Sequence, residues 1–226
     1  MARSVFIAGA TGYLGRHLAP RLLERGHEVR ALVREGSEAK APPGTTIVPG
    51  DPLDRSTFER AITPADTFVQ LVGVPRPSPA KEKQFIDIDL RSAREAIAAA
   101  RTARVAHFVY VSVAQPAPVM RAYQAARYRA EQAVEASGLP HTILRPWYVL
   151  GPGHRWPYAL LPIYWLLERL PMTRASALRL GLVTLSEMGA ALVYAVEHPP
   201  ARQRIVEVPE IRRAVESSTL ASHLPS

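Results

Sequence analysis

The chain has 226 residues, of which 47% are apolar and 21% charged, a balance that suits a globular fold with a substantial core. It contains no cysteine, which excludes disulfides, cysteine-ligated zinc and thiol catalysis. The net charge of +8 does not point to a specific nucleic-acid partner, because its 25 arginines and 3 lysines are scattered at helical spacing rather than gathered in a run.

The first element is the most informative. Val5-Phe6-Ile7-Ala8 reads as a strand and runs into Gly9-Ala10-Thr11-Gly12-Tyr13-Leu14-Gly15, after which Arg16 to Arg25 is amphipathic and stops at Gly26. Gly9 permits a sharp turn, Gly12 lets a pyrophosphate approach the backbone, and Gly15 lets the helix lie close to the sheet. Strand, glycine turn, helix and a second strand (Val29 to Val33) together predict a dinucleotide site on the helix N-terminus, held by Gly9, Thr11, Gly12, Tyr13, Leu14 and Gly15. The apolar start is too short for a signal peptide, so a cytoplasmic location is expected.

Further along, Thr46 to Val48 is a third strand and Asp54 to Ile62 a helix capped by Asp54. Thr67 to Val72 is a fourth strand, Phe85 to Ala103 a long helix, and His107 to Val111 a fifth strand. Met120 to Ala136 is helical and His141 to Leu144 is a sixth strand. Repeated strand–helix units predict an α/β Rossmann fold: a mostly parallel sheet with helices on both faces. The whole chain, 1–226, reads as a single domain, with 147–215 forming a small C-terminal extension on the substrate side. Within it, 157–170 is strongly apolar but too short and proline-broken to span a bilayer. That stretch reads as a lid helix, or as a contact for a membrane surface or a quinone. Thr184-Leu185-Ser186-Glu187 is a capping box opening a helix to Glu197, Arg204 to Val208 is a late strand, and the tail from Glu216 reads as frayed.

Charge at the end of the second strand bears on the cofactor. An acidic residue there binds the ribose hydroxyls of NAD, whereas Val33-Arg34 places a guanidinium that can pair with the 2′-phosphate of NADP(H). NADP(H) is therefore favoured, and Glu35 keeps NAD(H) open. The seven histidines show no ligand spacing and no metal site is predicted. No G-x-S-x-G elbow is present for a serine hydrolase.

In the order of these motifs the chain resembles the short-chain dehydrogenase/reductase superfamily, in its extended and atypical NmrA-like branch. The resemblance runs from Val5 to about Val208 and rests on the glycine turn, Ala31-Leu32-Val33-Arg34, Gly50-Asp51, Tyr110-Val111-Ser112, a helix bearing Tyr123 and Glu131, and Thr142-Ile143-Leu144-Arg145-Pro146 before Gly151-Pro152-Gly153. It implies that Asp51 meets the adenine amino group, that the loop from Gly73 passes the nicotinamide ribose, and that Leu144 to Pro146, with Arg145 and Pro146 as the cofactor-binding residues, present backbone to the carboxamide. It also implies catalysis by Ser112, which polarises a carbonyl, and Tyr123, which exchanges the proton.

The superfamily's lysine, four residues after the tyrosine, is replaced by Arg127. Arg127 shares a helix face with Tyr123 and carries the charge, but it stays protonated and cannot relay a proton. The triad is thus degenerate. Three readings follow: an NADP(H)-dependent oxidoreductase on a small or apolar carbonyl or quinone, a non-catalytic NADP(H)-binding redox sensor or assembly subunit, and a sugar-nucleotide epimerase or dehydratase, for which the C-terminal portion is short.

Overall fold

The computed structural model describes residues 2–152, 167 and 169–221. Strand β1 (Ser4–Ala8) leads through the glycine turn into α1 (Gly15–Glu24), and β2 (Glu28–Val33), β3 (Thr46–Pro49) and β4 (Thr67–Gln70) follow. A short α2 (Glu82–Gln84) continues through a π-type segment, Phe85–Leu90, into α3 (Arg91–Thr102). Next come β5 (His107–Val111), α4 (Arg121–Ala136) and β6 (His141–Arg145). The remaining elements are β7 (Tyr148–Leu150), α5 (Pro171–Arg179), β8 (Leu182–Thr184), α6 (Leu185–Glu197), β9 (Gln203–Glu207) and α7 (Val208–Ala221).

Seven strands form one sheet in the order β3-β2-β1-β4-β5-β6-β9, and every pairing is parallel. This is a Rossmann-like α/β fold. Alternation along the strands splits the core between two faces. Val5, Ile7, Val69, Val109 and Leu144 pack with α1, α6 and α7. Phe6, Phe68, Phe108 and Ile143 pack with α3 and α4. The rings of Phe58, Phe6, Phe68 and Phe108 stack in sequence across the second face, with centroids 6.0, 5.1 and 5.4 Å apart. Strand order reverses between β1 and β4, so a crevice opens beyond the carboxyl ends of these two strands, which is where a ligand fits such a sheet. No helix among the described residues is long and apolar enough to cross a membrane.

Several local expectations need correction. The helix expected over Asp54 to Ile62 is two 3₁₀ turns, Arg55–Thr57 and Glu59–Ala61. Phe58 breaks the α geometry with φ −136° as its ring turns into the core, although Asp54 does cap the first turn by accepting the Ser56 N–H. The long helix expected from Phe85 carries the π-type segment. The tail expected to fray from Glu216 continues α7 to Ala221, which opens with Pro209 near its first turn and buries Val208 and Ile211. The short parallel pair β7–β8 was not foreseen, because three-residue strands are too brief to show alternation. The capping box holds: Thr184 Oγ1 accepts the Glu187 N–H while the Glu187 carboxylate accepts the Thr184 N–H. Gly153 and the apolar stretch 157–170, apart from residues 167, 169 and 170, lie outside the described residues.

Candidate functional site

The glycine turn works through its backbone. Gly9 has φ +86°, a conformation that favours glycine, and a Cβ there would stand 2.9 Å from the backbone of Leu71 and Val72. The turn is thus tucked against the segment that follows β4. Gly12 donates its N–H to the Gly9 carbonyl at 3.0 Å, and a Cβ on Gly12 would meet only that oxygen, at 3.1 Å. Gly15 differs, since a Cβ there would collide with the Gly9 carbonyl and lie 2.5 Å from Ala10 Cα. It serves helix packing. Leu14, as the cap of α1, offers no side-chain acceptor, which leaves the helix N-terminus open to an anion.

A cleft of about 540 Å³ extends from this turn. Gly9, Thr11, Gly12, Tyr13 and Leu14 line it on the turn side; Arg34 and Asp51 line it beyond the ends of β2 and β3; Gly73 lines it beyond β4. Asp51 Oδ1 accepts the Leu53 N–H at 2.9 Å, which fixes the carboxylate at the rim. Glu35 is not among the lining residues, whereas Ser37 and Lys40 are. Sequence reasoning missed these two. The signal was there: one of only three lysines in the chain lies just beyond Arg34.

A second cavity of about 200 Å³ shares Leu14, Leu71 and Arg127 with the first, so the two form one crevice. It brings together Ser112 at the end of β5, Tyr123 on α4 and Pro146 after β6. Ser112 is 4% exposed and its Oγ has no hydrogen-bond partner among the described residues, so a buried polar group faces the cavity. The Tyr123 ring packs edge-on against Phe85, with centroids 5.0 Å apart. Trp147 and Tyr148, aromatics directly after Pro146, close the cavity and were not singled out from sequence.

Arg127 is held more tightly than expected of a simple lysine substitute. Its guanidinium pairs with Asp89 at 2.6 Å, donates to the Val111 carbonyl at 3.0 Å and to the Tyr110 hydroxyl at 3.3 Å, and lies 5.2 Å from the centre of the Tyr123 ring. The fork needs space, and Gly73 provides it: a Cβ on Gly73 would collide with Arg127 Nη2. Burial pushes the Asp89 carboxyl up, against the pull of Arg127 and the Val74 N–H. Burial likewise pushes Tyr110 up to about 12, so it remains a neutral hydroxyl beside the guanidinium. Arg145 turns its side chain away from both cavities to Glu131 (2.6 and 3.1 Å) and Glu207 (3.2 Å). Arg145 is thus not among the residues that line either cavity.

The glycine cradle and the joined crevice fit a dinucleotide. A family model described as NAD(P)H-binding matches residues 9–156. The chain belongs to that family. Its all-parallel seven-stranded sheet is the fold that such an NAD(P)H-binding domain takes. It is 28% identical over 211 residues to the ceramide reductase of Caulobacter vibrioides, matching 92% of this chain and 65% of that protein. It is 27% identical over 168 residues to a 4-hydroxy-2-methyl-3-oxo-4-farnesyl-3,4-dihydroquinoline-1-oxide ketoreductase of Stigmatella aurantiaca, matching 65% of this chain and 50% of that protein. This NAD(P)H-binding chain thus spans about two-thirds or less of the length of these relatives. Among solved structures it superposes on the Bordetella bronchiseptica enzyme WbmH in complex with NAD+, with a TM-score of 0.68, 22% identity, and coverage of 100% of this chain and 84% of that one. At that identity the likeness concerns the fold.

Proposed function

We propose that this chain is an NADP(H)-dependent reductase of the atypical NmrA-like branch, acting on a small or apolar carbonyl or quinone. The observation that carries the reading is the buried Ser112 Oγ, unpartnered among the described residues, which faces a cavity shared with Tyr123 and continuous with the glycine cleft. Gly9 to Gly12 would take the pyrophosphate, Asp51 the adenine, and Arg34 with Ser37 and Lys40 the 2′-phosphate. Bound there, the dinucleotide supplies a hydride from C4 of its nicotinamide. Ser112 donates a hydrogen bond to the substrate oxygen, and Tyr123 delivers the proton to that oxygen as the neighbouring carbon is reduced. Trp147, Tyr148 and Pro146 exclude water and favour an uncharged, apolar substrate. The two relatives named as reductases support this class, since a ceramide and a farnesylated quinoline are both largely apolar. Residues 147–215 would form the substrate side of a single domain.

One observation favours a second reading. Arg127 is spent on Asp89, Tyr110 and Val111, which suits an NADP(H)-binding sensor or subunit that performs no turnover. NADPH oxidation by the purified chain over a panel of quinones and apolar ketones separates the two. Turnover that depends on Tyr123 supports the reductase; tight NADPH binding without turnover on any member supports the sensor.

A further inference from the structure

The π-type segment Phe85–Leu90 places a carboxylate, Asp89, inside the protein. Such segments recur at functional sites. Asp89 is 1% exposed and reaches two other elements. Its Oδ1 lies 2.6 Å from Arg127 Nη2 on α4, and its Oδ2 accepts the Val74 N–H at 3.2 Å. A carboxylate at this depth is costly unless paired and hydrogen-bonded, and Asp89 is both. Asp89 lines neither cavity, yet Gly73, Val74, Pro75 and Arg127 all line the main cleft. Further out, the Lys81 ammonium holds the Pro75 and Arg76 carbonyls. On the inner side, the Val74 N–H is tied to Asp89.

We infer that Asp89 is a positioning residue, which through Val74 and Arg127 fixes segment 73–75 in the shape that the nicotinamide half of the dinucleotide meets. The inference rests on the proposed cofactor reading and concerns only the inner half of the cleft. Three features fit together. Gly73 lacks the Cβ that would displace Arg127, Arg127 reaches across to Asp89, and Asp89 holds the next peptide group. Loosening this latch makes the segment pay its ordering cost on binding, whereas the glycine turn and the Arg34 side stay as they are.

The test titrates the intact chain with NADPH and with adenosine 2′,5′-bisphosphate, which reaches only the outer half. Asp89→Asn keeps an acceptor for Val74 but removes the charge facing Arg127. Val74→Pro removes the donated N–H, at a position that Pro75 already biases to extended backbone. Both variants should bind NADPH about tenfold more weakly, the scale of one lost buried hydrogen bond or charge contact. Both should hold the bisphosphate within about twofold of wild type, as expected for a separate site. Should Asp89→Asn fail to fold, Val74→Pro decides on the same two titrations. Equal losses for both probes, or none for NADPH, overturn the assignment of Asp89. A wild-type chain that binds neither probe overturns the cofactor reading itself, and the latch with it.

Discussion

The two halves of the crevice are built on different principles. The outer half is local and made of backbone: three glycines, one turn and the start of one helix, all within Gly9 to Gly15, with Arg34 and Asp51 added from the next two strand ends. The inner half is assembled at long range from side chains. Ser112, Tyr123, Arg127 and Asp89 come from a strand end, from α4 and from the π-type segment, and an ion pair holds two of them together. A site written in backbone tolerates change around it but not within it. A site written in side chains depends on every partner. In the proposed reading, the outer half follows the superfamily pattern that the sequence resembles, and the departure from it, Arg127, falls in the inner half.

The largest expected effect lies within the turn and separates two glycines that look alike in sequence. Gly15→Ala places a Cβ against backbone atoms of Gly9 and Ala10 that cannot step aside. It should cost more than about 3 kcal/mol, the upper range for overpacking, and show as a large drop in melting temperature. Gly12→Val meets only one carbonyl, so the fold should persist while binding of NADPH and NADH is lost. If Gly15→Ala melts like wild type, or folded Gly12→Val still binds, the division of labour within the turn is wrong.

The next effect probes the inner half. Tyr123→Phe removes the proposed proton donor but keeps the ring against Phe85 and Arg127, so packing survives. Turnover should fall by about 10²–10⁴, the usual scale of acid/base catalysis, with NADPH affinity little changed. Arg127→Met instead leaves the Asp89 carboxylate buried alone and should destabilise the fold by about 3–5 kcal/mol, read from denaturant titration. An Arg127→Met chain as stable as wild type would mean that the ion pair contributes nothing to the inner half.

How much of this was legible follows from the same contrast. The turn and the parallel sheet could be read, because each depends on patterns along a few adjacent residues, whereas Ser112 and Tyr123 were pointed to only by the resemblance. The partner of Arg127 could not. Asp89 lies far away in sequence, within a run (Phe85-Ile86-Asp87-Ile88-Asp89-Leu90) whose periodicity suggests an ordinary helix, and nothing local marks which aspartate turns inward. Phe58 defeated the helix expected around it for a related reason, since burial of one ring in the aromatic stack outweighed local propensity. Gly73 was assigned to the ligand, and its second purpose, room for Arg127, emerges only when both loops are in place.

A smaller effect belongs to neither half. His107 and Thr142 sit at the starts of the parallel strands β5 and β6, the end away from the crevice, where His107 Nε2 lies 3.0 Å from Thr142 Oγ1. Burial, with Arg3, His141 and Arg204 nearby, pushes the His107 pKa down to about 4. The unfolded chain therefore binds a proton below about pH 6.5 that the folded chain refuses. The stability contributed by neutral His107 is complete above that pH and is lost as pH falls toward 4, by at most about 3 kcal/mol. His107→Gln should flatten the fall in melting temperature between pH 6.5 and 4. An unchanged slope would place the acid-sensitive group elsewhere.

The smallest effect tests how far the outer half chooses its cofactor. Arg34, Ser37 and Lys40 line the cleft and Glu35 does not, so two cations are available to a 2′-phosphate, with Asp51 the carboxylate among the lining residues. The wild-type chain should bind NADPH more tightly than NADH. Because Lys40 remains, Arg34→Ala should remove only part of that preference, about 1–2 kcal/mol, and the Arg34→Ala/Lys40→Ala pair should remove most of the rest. NADH affinity should stay nearly constant through the series, since its ribose hydroxyls need neither cation. The decisive quantity is the ratio of the two affinities by calorimetry at fixed ionic strength, because screening weakens exposed charge contacts. A wild-type ratio near one would mean that these cations only solvate the rim, and the choice between NADPH and NADH would then have to lie outside the Arg34 side of the cleft.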